Sequence, residues 1–170
     1  MKALSGYAEW FWLMAKNWKN VENRTRPLPK EMATSLPVRI YLHASKSEHV
    51  QHSLFPDDLV FIREHLTPVQ WGEFCQVDWK LLRGTIIGEV TITKQMRKQH
   101  YIESDHVDIG SQQKELELMI ANNEPYMSPW FFGTFGYVVN DGTLYEKPIP
   151  CKGKLGFFEP NIAQNGYNVL

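Results

Sequence analysis

The chain has 170 residues, 43% of them apolar, a formal charge of -1 and two cysteines. That length suits one domain with a self-sufficient core, and near-neutrality excludes a polycation that coats nucleic acid through net charge alone. Cys75 and Cys151 lack a C-x-x-C or any partner cluster, which leaves neither a disulfide framework nor a zinc site.

No apolar run approaches the roughly 20 residues of a bilayer span. The N-terminus also lacks the charged-then-apolar pattern of a signal peptide, so a protein of the reducing cytoplasm is expected.

In chain order, 1–5 is a short apolar start and Ser5 stands where a helix N-cap would. Tyr7, Trp10, Phe11 and Met14 then recur at i, i+3, i+4 and i+7, the spacing of a helix laid on a core. The helix ends at Lys16-Asn17 and delivers the chain into a charged stretch. If Asn20 to Arg24 is extended, Glu22 and Arg24 share one face and Val21 takes the other. A carboxylate beside a guanidinium, with Lys19 at the strand entrance, suits an anionic or hydrogen-bonding ligand or a structural ion pair. From Lys16 to Lys30 there are five basic residues against Glu22, a candidate basic rim.

Arg26-Pro27-Leu28-Pro29 opens a loop that reaches Leu36-Pro37. Val38, Ile40 and Leu42 alternate in a strand whose polar face ends in His43, followed by Ser45 and Lys46. Ligand sites commonly form where rigid strands end. His49 and His52 lack a further well-placed ligand candidate, so no metal is expected.

The spacing predicts a helix over 53–66, and Thr67-Pro68-Val69-Gln70 is a capping box opening a second one. A strand follows over 84–93, then a polar loop over 96–111 and a helix over 112–122. Phe135, Tyr137 and Val139 alternate before Asn140-Asp141-Gly142, a hairpin turn signal. Lys152-Gly153-Lys154-Leu155-Gly156-Phe157-Phe158 closes the domain, and 160–170 is a loosely held tail. Short strands interrupted by several helices make an α+β fold with a small, partly closed barrel, in one domain over 1–170.

Lys152-Gly153-Lys154 is not a phosphate loop, because the G-x-x-x-x-G-K-[ST] pattern and its strand-loop-helix setting are missing. No G-x-S-x-G, H-E-x-x-H or G-x-G-x-x-G occurs, and no motif calls for a cofactor.

Several segments, taken together and in order, resemble the ASCH (activating signal cointegrator homology) domain, a branch of the PUA-like barrels. They are Ala3-Leu4-Ser5, Lys19-Asn20-Val21-Glu22-Asn23-Arg24, Ile40-Tyr41-Leu42-His43-Ala44-Ser45-Lys46, Ile86-Ile87-Gly88-Glu89-Val90, Ser128-Pro129-Trp130-Phe131-Phe132-Gly133 and 148–157. The resemblance implies a small PUA-like β-barrel with flanking helices that binds RNA or a modified nucleotide in a cleft. Lys19, Glu22, Arg24, His43, Ser45, Lys46 and Lys152 would line that cleft, with Trp18 and Trp130 stacking on bases.

The alternative is a small hydrolase of a nucleoside amide or RNA phosphodiester. Lys19 matches the lysine of family members that resemble amidohydrolases, but Glu22 stands where they carry a threonine nucleophile. Glu22 would then act as a general base on water, with His43 as a base in the ribonuclease variant. A third reading is a protein-interaction module in which the charged trio is structural.

Overall fold

The computed structural model describes residues 1–46, 54–97 and 128–162. In chain order the elements are β1 (Ala3–Gly6), α1 (Ala8–Ala15), β2 (Val21–Arg24), α2 (Lys30–Ala33), β3 (Val38–Ala44), α3 (Pro56–His65), α4 (Pro68–Cys75), α5 (Trp79–Leu82), β4 (Thr85–Arg97), β5 (Phe135–Pro150) and β6 (Phe157–Phe158). The strands form one sheet in the order β2-β5-β4-β3-β1-β6. It is mixed: β1 runs parallel to β3, whereas β1–β6 and β2–β5 are antiparallel. The α+β class with a small barrel-type sheet is therefore the one expected. Two compact units make up the chain, the first of Met1–Trp18, Arg39–Thr91 and Asp141–Leu170, the second of Lys19–Val38 and Ile92–Asn140.

In the first unit, α1 buries Ala8, Glu9, Phe11, Trp12, Leu13, Met14 and Ala15, so it is a core helix rather than a one-faced one. Ala3, Ile86, Cys151 and Phe158 form a cluster on which Tyr41, Tyr145 and Ile149 pack. Each large apolar side chain removed from water there contributes about 1.5–3 kcal/mol. Trp12 meets Trp18, Phe74 and Trp79 edge-to-face at centroid distances of 5.1, 6.0 and 5.8 Å; Trp12 and Phe74 are buried and Trp18 and Trp79 half-buried. At α4 the capping box forms as the sequence predicts: the Gln70 amide donates to Thr67 Oγ1 and the Thr67 amide to Gln70 Oε1.

In the second unit, β2 pairs with the start of β5, setting Val21 opposite Val138, Glu22 opposite Tyr137 and Arg24 opposite Phe135. Asn23 organises the loop after 128. Its Nδ2 donates to the Trp130 carbonyl at 2.7 Å, and its Oδ1 accepts from the amides of Phe132 and Gly133 at 3.0 and 2.8 Å.

Four expectations give way. Ser5 lies inside β1, and Tyr7 caps α1 without a side-chain bond. Asn140-Asp141-Gly142 does not reverse the chain, since it stands inside the continuous strand β5 with Asp141 at φ 51°. Asn17 brackets the point, accepting from the Gly142 amide at 2.7 Å and donating to its carbonyl at 2.9 Å. A Cβ at Gly142 would sit 2.2 Å from the Met14 carbonyl oxygen, so the glycine serves close approach rather than a turn. Two short helices, α2 and α5, stand where none was expected. β4 runs on to Arg97, through the start of the expected polar loop. The rest of that loop, the expected helix over 112–122, His49, His52 and most of the expected tail lie outside the described residues.

Candidate functional site

The charged stretch forms a cluster in the second unit. Lys19 is only 2% exposed; its ammonium donates to the Val21 carbonyl and to Glu22 Oε2, the latter at 3.2 Å. The other carboxylate oxygen of Glu22 takes Arg24 Nη2 at 2.9 Å, so one buried carboxylate holds two cations. Burial lowers the pKa of Lys19, against the attraction of Glu22 and with the help of the Arg24 charge. Opposite Glu22 in the ladder, Tyr137 donates its hydroxyl to the Arg26 carbonyl at 2.9 Å, and burial raises its pKa. The cluster orients a carboxylate and a lysine whose proton is more readily lost than in water.

The first unit holds a pocket of about 680 Å3 lined by Ser5, His43, Ser45, Lys46, Gly84, Lys152, Gly153, Lys154 and their neighbours. Its residues converge because β1 and β3 run parallel with Ser5 in register with His43, while the chain beyond β5 returns over their ends. The returning chain is pinned by the Cys151 amide on the Gly84 carbonyl and by the Ser5 amide on the Gly156 carbonyl, at 3.0 and 3.1 Å. Lys46, Lys152 and Lys154 are exposed, whereas Ser5 and Ser45 are half-buried. The pocket thus has half-buried hydroxyls and exposed ammonium groups in its lining, and the ammonium groups with Ser45 are donors for an anion.

His43 is the hinge of this pocket and is 2% exposed. Its Nε2 lies 3.0 Å from the Cys151 carbonyl oxygen, which can only accept, so Nε2 carries the proton. Nδ1, 3.0 Å from Ser5 Oγ, therefore accepts from the hydroxyl. Burial lowers the imidazole pKa below its ordinary value, against the hydrogen bond to Cys151. The neutral tautomer is the one this geometry fits. Phe158 meets the ring edge-to-face at 5.5 Å, and a Cβ at Gly153 would fall 2.2 Å from His43 Cε1, so only glycine lets the loop lie against the imidazole.

Of the expected site residues, Lys19, Glu22 and Arg24 come together in the second unit, and His43, Ser45, Lys46 and Lys152 in the first. Trp18 is half-buried and meets Trp12 in a T-shaped pair, with Lys16 Nζ 5.2 Å from the centre of its ring. Trp130 is 5% exposed; its ring is packed in the core and presents no face for a base. Ser5, Gly153 and Lys154 were not foreseen as pocket residues, since nothing in the sequence pairs residue 5 with residue 43. Among the described residues no three His, Cys, Asp or Glu side chains gather as metal ligands, and no helix is long and apolar enough to cross a membrane.

The chain is similar to the ASCH protein of Zymomonas mobilis, a protein of the family that the sequence resembles. One crystal structure of that protein is 16% identical, with a TM-score of 0.38 over 86% of this chain and 71% of that one. Two structures of single-residue variants are 15% and 17% identical, with TM-scores of 0.38 and 0.39; each match covers 87% of this chain and 72% or 73% of the variant. No family model matches the chain, and no curated protein matches it.

Proposed function

We propose that the protein is a single-domain cytoplasmic binder of RNA or a nucleotide, which it takes by phosphate at the pocket of the first unit. The observation that supports this reading is the gathering of Lys46, Lys152 and Lys154 around one pocket with two serine hydroxyls. In a chain of net charge -1, such a local concentration of ammonium groups is what an anionic ligand requires, and ammonium groups are common phosphate ligands. Ser45 adds a hydroxyl donor to the same lining. The test is fluorescence anisotropy of a labelled single-stranded RNA at low salt, with adenosine monophosphate as competitor. Binding that weakens at least tenfold in Lys152→Ala/Lys154→Ala is expected. No binding at low salt would remove the reading.

The burial and lowered pKa of Lys19 beside Glu22 favour a second reading, a hydrolase in which Lys19 polarises the bond to be cut and Glu22 serves as base. Turnover of acetylated nucleosides or RNA that survives both Lys19→Ala and Glu22→Gln would end that one.

A further inference from the structure

We propose that Ser5 is a nucleophile activated by His43, in an acyl-transfer site that hydrolyses a carboxylic ester whose alcohol half carries a phosphate. The phosphate on that alcohol half rests on the binding reading above; the nucleophile rests on its own geometry. Three groups stand in line, with Ser5 Oγ 3.0 Å from His43 Nδ1 and His43 Nε2 3.0 Å from the Cys151 carbonyl. A nucleophile within hydrogen-bond reach of a base, itself oriented by a third group, is the arrangement that makes a serine reactive. Ser5 lines the pocket and is half-buried, whereas a hydroxyl serving only to pin the imidazole has no need of a pocket.

Phe158 and Gly153 hold the imidazole from its other sides, so Nδ1 stays aimed at the hydroxyl. The neutral ring presents an unprotonated Nδ1 near pH 7, the state a general base requires. Lys46, Lys152 and Lys154 line the same pocket as Ser5 and His43, a source of positive charge for a substrate phosphate and for the charge that develops on the ester oxygen.

The step balances without a cofactor. Ser5 Oγ bonds to the carbonyl carbon, the carbonyl π electrons move onto oxygen, and the hydroxyl proton passes to His43 Nδ1. Collapse of the tetrahedral species breaks the bond to the alcohol oxygen, which takes the proton back from Nδ1. Water then attacks the acyl-Ser5, giving its proton to Nδ1 and from there to the departing Ser5 oxygen. The products are the acid and the phosphate-bearing alcohol.

The test uses the full chain and a neutral fluorophosphonate ester, which reacts with activated serines whatever the natural substrate. Its P–F bond breaks as Ser5 Oγ bonds to phosphorus, fluoride leaves, and the proton goes to His43. Peptide mass spectrometry is expected to find the adduct on Ser5 in the wild type and none in Ser5→Ala. Because a positioned general base contributes about 100-fold or more, His43→Gln should label at least 100-fold more slowly. A wild-type protein that forms no adduct at Ser5 overturns the proposal whether or not the variants fold, and so does a folded His43→Gln that labels at the wild-type rate. Adenosine monophosphate is expected to slow labelling by occupying the lysine rim. Labelling that proceeds unslowed at a nucleotide concentration that displaces the labelled RNA would overturn the phosphate-bearing substrate and leave the nucleophile standing, whereas failure of the RNA to bind at all overturns the binding reading.

Discussion

Glu22→Gln is the substitution that most sharply tests how the second unit is held together. The change keeps volume and one acceptor oxygen but removes the charge that Lys19 and Arg24 share at 3.2 and 2.9 Å. The Lys19 side chain is 1% exposed and that of Glu22 10%, so neither can recover its loss from bulk water. Breaking one side of a buried pair costs about 3–5 kcal/mol, because the remaining charge is left buried and uncompensated. Arg24, with 25% side-chain exposure, can turn partly into solvent, which puts the expected cost at about 3 kcal/mol. Urea denaturation of wild type, Glu22→Gln, Lys19→Met and the double variant measures it. The double variant should be less destabilised than the sum of the singles by about 1.5 kcal/mol or more, since Lys19→Met removes the cation that Glu22→Gln strands. A cost below about 1 kcal/mol for Glu22→Gln, the behaviour of a surface pair, would refute this account of the cluster.

Three further outcomes follow from the first unit. Asn17→Ala should cost about 2 kcal/mol by thermal or urea denaturation, combining two lost hydrogen bonds to Gly142 with a left-handed φ of 59° that alanine tolerates poorly; Asn17→Gly should cost less, because only the bonds are lost. Gly153→Ala drives a methyl into the imidazole, so about 1–3 kcal/mol of stability should go and nucleotide binding should weaken with it. His43 has a folded pKa below its ordinary 6.5, so the unfolded chain binds more protons than the folded one as the medium is acidified. Its contribution is complete above about pH 6.5 and is lost as pH falls through that value toward the lower folded pKa. A plot of unfolding free energy against pH should be flatter below 6.5 in His43→Gln than in wild type, and equal slopes would contradict the assignment of a buried neutral ring.

The parts of this fold that were legible in the sequence are those coded by neighbours a few positions apart. The Thr67/Gln70 capping box, the alternation over Ile40, Tyr41 and Leu42 in β3, which stops at the buried His43, and the approach of Glu22 to Arg24 are all local signals. Tertiary packing overrode the others. Ser5 has the chemistry of an N-cap, but its hydroxyl is taken by a histidine 38 residues away, and the parallel pairing that joins them leaves no mark on either segment. Asn140-Asp141-Gly142 has the residues of a hairpin turn, yet the bond to Asn17, 125 residues distant from Gly142, keeps the strand running. The pocket was legible only in pieces for the same reason. Lys46 and Lys152 were singled out beforehand, whereas Ser5 takes its meaning from His43, 38 residues away, and Lys154 from the return of its loop over the same pocket.

The central claim, that the lysine-rimmed pocket takes phosphate, is tested most directly by the salt dependence of binding to a single-stranded RNA, measured by anisotropy in wild type and in Lys46→Ala/Lys152→Ala/Lys154→Ala. Each phosphate neutralised on a single strand adds about 0.7 to the slope of log K against log salt. Loss of three contacts should therefore flatten the slope by about 2, along with weaker binding at low salt. Equal slopes in the two proteins would show that phosphate is held elsewhere and would contradict the account.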